Sequence, residues 1–132
     1  MTLSGQCWAY DLDGVICADH RLGISPEDYE DHIDYAEPLY LPKGFIYVVT
    51  GRMDKYYKRT AAWLDKYGLT YELYTKPECF RGIENTPHFK AVQYKQCRAE
   101  LFLESHIWQA EIIARESGKL VFCMEDKRIY RG

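Results

Sequence analysis

The chain has 132 residues, 47% hydrophobic and 28% charged, with a net charge of -3 and a pI near 5.8. This size fits one domain spanning 1–132 with a core of its own, and the composition excludes a disordered or fibrous chain. The acidic balance excludes a protein that coats nucleic acid by bulk charge, while leaving room for a local basic patch. The five cysteines, Cys7, Cys17, Cys79, Cys97 and Cys123, form no Cys-x-x-Cys pair, so neither a disulfide framework nor a zinc site is indicated. The first residues lack a basic segment leading into an apolar one, and no apolar run approaches membrane-spanning length. A soluble cytoplasmic protein with no membrane partner is expected.

The first apolar run, Cys7-Trp8-Ala9-Tyr10, is too short for a helix and reads as a buried strand. It leads into Asp11-Leu12-Asp13-Gly14. Side chains at i and i+2 of a strand share a face, so Asp11 and Asp13 can address one reacting group, and Gly14 permits a sharp departure from the sheet. Two acids on one side call for a cation or a shared proton; taken alone, the pair also reads as a polar turn. Ser25-Pro26-Glu27-Asp28 combines a cap, a proline at the first helical position and an acid at the third, which predicts a short helix ending before Pro38.

Phe45-Ile46-Tyr47-Val48-Val49 is a second buried strand, ending in Thr50-Gly51-Arg52. Tyr57, Thr60, Ala61 and Leu64 then line one face of a helix that runs to about Tyr67 and stops at Gly68. A third strand is predicted over Thr70 to Thr75, followed by a loop over residues 76–86. Thr86-Pro87 opens a helix with Lys90 in its first turn. Residues 100–104 form a fourth strand, and Ile107, Ala110, Ile113 and Ala114 mark a helix stopped by Gly118. Residues 119–124 form a fifth strand, and the tail from Glu125 to Gly132 reads as a solvated end.

Strands alternating with helices at this spacing predict an α/β fold with a mainly parallel five-stranded sheet covered on both faces, a three-layer Rossmann-like sandwich. Ligands in such sheets bind beyond the carboxyl ends of the strands. That edge gathers Asp11, Asp13, Thr50, Gly51, Arg52, Lys90 and Glu104. The set suits phosphoryl transfer. Asp11 can attack phosphorus to form an aspartyl-phosphate, and Asp13 can protonate the leaving oxygen and then activate water. A magnesium ion held by Asp11, Asp13 and Glu104 with a backbone carbonyl would offset the repulsion between nucleophile and phosphate. Thr50 and the amides after it can hold phosphate oxygens at a helix start, and Lys90 can neutralise charge that builds up during transfer.

Four ordered motifs carry a resemblance to the haloacid dehalogenase-like phosphatases: Asp11-x-Asp13-Gly14, the apolar run ending in Thr50-Gly51-Arg52, Lys90, and the acidic end of Leu101-Phe102-Leu103-Glu104. The resemblance implies strand order 5-4-1-2-3 with Asp11 on the central strand, and a magnesium-dependent aspartyl-phosphate mechanism. The chain departs from the family pattern where Ser105 follows Glu104 in place of a second acid, and where Val15 replaces a common threonine. Lys90 is the expected third-motif lysine, with Lys95 the alternative.

The segments around residues 17–44 and 76–86 are too short for a cap domain, so an open site is expected, suited to a phosphate on a large molecule unless a partner subunit of a homodimer covers it. Residues 50–63 resemble the corresponding part of the phosphatase half of bacteriophage polynucleotide kinases, which implies a nucleotide or nucleic-acid terminal phosphate as substrate. Arg52, Lys55 and Tyr56 can contact a sugar-phosphate backbone or stack on a base, or form a solvated helical turn. Two other readings compete: a broad-specificity phosphatase of small metabolites, and a weakly catalytic phosphate- or protein-binding module kept alive by Glu104-Ser105. His20, His32, His88 and His106 lack metal-ligand spacing and read as surface or loop residues. Cys17 reads as a core filler, and Trp8, Trp63 and Trp108 as core.

Overall fold

The computed structural model describes residues 7–20 and 23–132. It is an α/β fold whose sheet runs β3-β2-β1-β4-β5-β6. The strands are β1 (Ala9–Tyr10), β2 (Phe45–Met53), β3 (Thr70–Lys76), β4 (Leu101–Glu104), β5 (Leu120–Cys123) and β6 (Arg128–Tyr130). All neighbouring pairs are parallel except β5 and β6. The expected order of the first five strands is present. The count of five is corrected to six: the tail is no solvated end, because Arg128 to Tyr130 folds back to pair with Cys123 to Val121 and covers the edge of β5.

The helices α1 (Pro26–Tyr35), α2 (Tyr57–Lys66), α3 (Thr86–Gln96) and α4 (Ile107–Ser117) cover the two faces. Alternation along the central strands sorts the core. Tyr10, Ile46 and Val48 pack with Trp63, Leu64 and Ala36, the residue that ends α1, on the α1/α2 side. Ala9, Tyr47 and Val49 pack with Phe89, Tyr94, Ala110 and Ile113 on the α3/α4 side. Several local signals act as expected. Ser25 accepts the Asp28 N–H at 3.1 Å, capping α1, and Gly118 ends α4 in the left-handed region. Of the tryptophans only Trp63 is core, with its indole N–H on the Ala36 carbonyl at 2.9 Å. Trp8 and Trp108 are exposed, because Trp8 precedes the paired part of β1 and Trp108 sits beside, rather than on, the buried stripe of α4.

The second motif differs from expectation. Thr50-Gly51-Arg52 does not end a strand before a helix; it lies inside β2, and α2 begins only at Tyr57. Val49 pairs with Tyr74 and Met53 with Lys76, so four steps along β2 oppose two along β3. The excess makes a bulge, which bends the strand and re-aims the side chains at its end. No described helix is long and apolar enough to cross a membrane.

Candidate active site

The central strand carries Asp11 to the carboxyl edge of the sheet, where its N–H donates to the Leu103 carbonyl of β4 at 2.9 Å. The chain then curls tightly: the amides of Val15, Ile16 and Cys17 all donate to the Leu12 carbonyl, which buries Leu12 and Ile16 and returns Asp13 to the same edge. Gly14 has φ +89, and a Cβ there would lie 2.8 Å from Ser105 Cβ. Glycine is thus required both by the turn and by the approach of Ser105.

Asp11 is buried and held from three sides. Its Oδ1 accepts from the Leu12 N–H at 2.9 Å and from Lys90 Nζ at 3.1 Å, and Oδ2 accepts from the Ser105 hydroxyl at 2.8 Å. Lys90 also donates to Glu104 Oε1 and to Gln109 Oε1, both at 2.9 Å, which saturates its three N–H groups. Lys90 is therefore the site lysine; Lys95 lies exposed in the last turn of α3. Burial disfavours the charge on Lys90, but Asp11 and Glu104 outweigh it and hold the ammonium above its ordinary pKa. Glu104 is fully buried, and its Oε2 accepts the N–H groups of Ser105 and His106 at 3.0 and 3.1 Å. Burial and the nearby charge of Asp11 push its carboxyl up to about 7 despite Lys90.

Asp13 faces a different set of partners. Arg52 Nε donates to Oδ2 at 3.1 Å and Nη2 to Oδ1 at 2.8 Å, while His32 Nε2 lies 2.8 Å from Oδ1. Burial alone would raise the Asp13 pKa; Arg52 and His32 overcome it and hold the carboxyl well below the usual carboxylate range. Arg52 itself is buried and completes its hydrogen bonds on Thr60 Oγ1 at 3.1 Å. The bulge in β2 thus turns Arg52 inward to Asp13 rather than outward to a backbone. Tyr56 packs edge-on against Tyr29, with ring centroids 5.2 Å apart. Cys17 is a buried filler whose thiol burial pushes up.

Three hard oxygens converge at the floor: Asp11 Oδ2 and Glu104 Oε2 lie 2.8 and 3.4 Å from Ser105 Oγ. This donor set has the chemistry that suits magnesium. Asp13, the third acid expected there, directs its carboxylate to Arg52 and His32 instead of to this point. Asp13, His20 and His32 do bring three ligating atoms within 4.8 Å of one another. Both Asp13 oxygens there are already engaged by Arg52, so the group is a hydrogen-bonded cluster.

Above this floor opens a cavity of about 510 Å³, lined by Asp11, Asp13, Lys76, Lys90 and Ser105, with the more exposed Lys55, Arg81 and Trp108 also bordering it. Gly51 and Arg52 reach it, whereas Thr50 does not: its side chain is buried, and its hydroxyl accepts the Arg52 N–H at 3.1 Å. The helix start expected after Thr50 is displaced to Tyr57, and Thr50 itself is turned away from the cavity that Gly51 and Arg52 reach. Sequence reasoning also missed His32, Gln109, Ser105 as a direct partner of Asp11, and Lys76. Gln109 had a signal, being spaced four from Ile113 and eight from Ser117 on the buried stripe of α4. His32 had none, since its contact depends on how α1 packs. Comparison with protein-family models, curated proteins and solved structures gives no match, and the functional reading rests on the site's own chemistry.

Proposed function

We propose that the chain is a phosphomonoesterase of the haloacid dehalogenase-like kind, on a capless Rossmann-like sandwich, acting through an aspartyl-phosphate on Asp11. The observation that carries this reading is the placement of Asp11: a buried carboxylate oriented by Lys90, Ser105 and the Leu12 amide at the floor of the cavity. An oriented nucleophile beside a cation is what in-line attack on phosphorus requires.

Asp11 Oδ attacks phosphorus as the ester oxygen leaves, and Lys90 offsets charge accumulating on the phosphoryl oxygens. Asp13 is the proton carrier of this reading: once Arg52 gives up one of the two oxygens it holds, Asp13 passes a proton to the leaving oxygen from a substrate that enters as its monoanion. In the second half it takes a proton from the water that opens the aspartyl-phosphate. Asp11, Glu104 and Ser105 would hold magnesium, which when bound supplies positive charge against the phosphate.

The substrate class we favour is a nucleotide or a nucleic-acid terminal phosphate. Supporting it are the open cavity, the cations Lys55, Lys76 and Arg81 that line it beside the acids Asp19 and Glu78, and Trp108, which is 42% exposed and available for stacking. The test is hydrolysis of an aryl phosphate in magnesium, then of 3'-phosphorylated oligonucleotides, free nucleotides and sugar phosphates. Asp11→Asn should lower aryl phosphate turnover by at least about a thousandfold while remaining folded. Undiminished turnover by that variant removes Asp11 as nucleophile. Oligonucleotides and nucleotides no better than sugar phosphates would favour a broad-specificity metabolite phosphatase instead.

A further inference from the structure

We propose that Lys76 and Thr86 form a phosphate-binding cradle, taking the role that Thr50 is unable to fill. The proposal rests on the phosphomonoesterase reading for the identity of the anion. Lys76 ends β3 and is only 4% exposed. Its Nζ donates to the Gly82 carbonyl and to Thr86 Oγ1, both at 2.9 Å, and no described residue accepts its third N–H. No described carboxylate lies within 4.0 Å of it, in contrast to Lys90, which has two. Glu84 acts on it only from beyond that distance, and a buried ammonium with no paired carboxylate is costly, a cost that an incoming anion lowers.

The surroundings are arranged to receive one. Thr86 is the first residue of α3; its N–H donates to the Ile83 carbonyl and Pro87 has none, so what this helix start offers an anion is the Thr86 side chain. Because Thr86 Oγ1 accepts from Lys76, its hydroxyl hydrogen is left to donate. Gly51 makes the position possible: a Cβ there would fall 2.7 Å from Thr86 Cγ2. Thr86 and Lys90 are one turn apart on the same face of α3, and both line the cavity that holds Asp11. The cradle therefore continues the cationic wall from the nucleophile outward. Burial, aided by Lys90 and opposed by Glu84, holds the Lys76 ammonium below its ordinary pKa.

The experiment is calorimetric titration with inorganic phosphate in an Asp11→Asn background, which separates binding from turnover. Adding Lys76→Gln keeps a donor for Gly82 but removes the charge, and should weaken phosphate binding about tenfold or more. Thr86→Val removes only the hydroxyl and should weaken it severalfold. A purely structural Lys76 would shift the melting temperature and leave phosphate affinity in place. Unchanged affinity in folded Lys76→Gln protein, or no phosphate binding before either change, overturns the cradle. Should Lys76→Gln not fold, Thr86→Val decides by the same criterion. Phosphate binding that depends on Lys76 in a protein that hydrolyses no monoester leaves the cradle standing and sinks the phosphomonoesterase reading.

Discussion

Arg52 closes on Asp13 with two of its nitrogens, 2.8 and 3.1 Å from the two carboxylate oxygens, although 39 positions separate the residues in the chain. Two parallel N–H donors matched to two oxygens give this pair both strength and a fixed orientation. Removing the guanidinium leaves a largely buried carboxylate with the His32 ring as its closest remaining partner. Arg52→Met should therefore destabilise the protein by about 3 kcal/mol in urea unfolding. Combining it with Asp13→Asn should restore part of the loss, and a strictly additive double variant would show that the pair is not coupled.

The same pair sets an acid limit on stability. Because the folded pKa of Asp13 lies below the ordinary value of 3.8, its contribution is complete above that value. It is lost as pH falls through the folded value, when the carboxylate takes up a proton and releases Arg52. Urea midpoints measured down to about pH 3 should fall more steeply for the native protein than for Asp13→Asn. Parallel curves would place the acid sensitivity elsewhere.

Glu104 reaches the convergence point with one oxygen, while Lys90 occupies the other. Glu104→Gln keeps the shape but removes the negative charge. The magnesium concentration for half-maximal hydrolysis should rise about tenfold, with a matching loss of magnesium-induced thermal stabilisation. An unchanged magnesium titration removes Glu104 from the ligand set.

Gly14 is a tight point in the site. Gly14→Ala must both occupy φ +89 and displace Ser105, whose Cβ would be 2.8 Å away. A loss of about 2 kcal/mol in stability is expected, together with a fall in activity as Ser105 releases Asp11 Oδ2. Ser105→Gly, which removes the clashing Cβ, should recover stability in the Gly14→Ala background only in part, since the glycine backbone conformation remains strained for alanine.

Much of the frame was written locally. The alternation of apolar strands with periodic helices, the Ser25 cap and the Gly118 stop all act over a few residues, so the sequence alone determined the α/β class and put Asp11 at a strand end. The order of the five parallel strands followed from the resemblance and is present within the six-stranded sheet. Tertiary structure decided what each charged group faces. The bulge in β2 depends on its register with β3 and turned Arg52 onto Asp13; α1 packing brought His32 to the same carboxylate. The pairing of β6 needed the exposed edge of β5, which no property of residues 128–130 announces. Asp11 meets Ser105 across 94 positions of chain and Lys90 across 79. Hydrogen bonds act over about 3 Å and specify their partners only after the fold has brought such distant segments together, so the residue types of this site were legible from the sequence and their pairings were not.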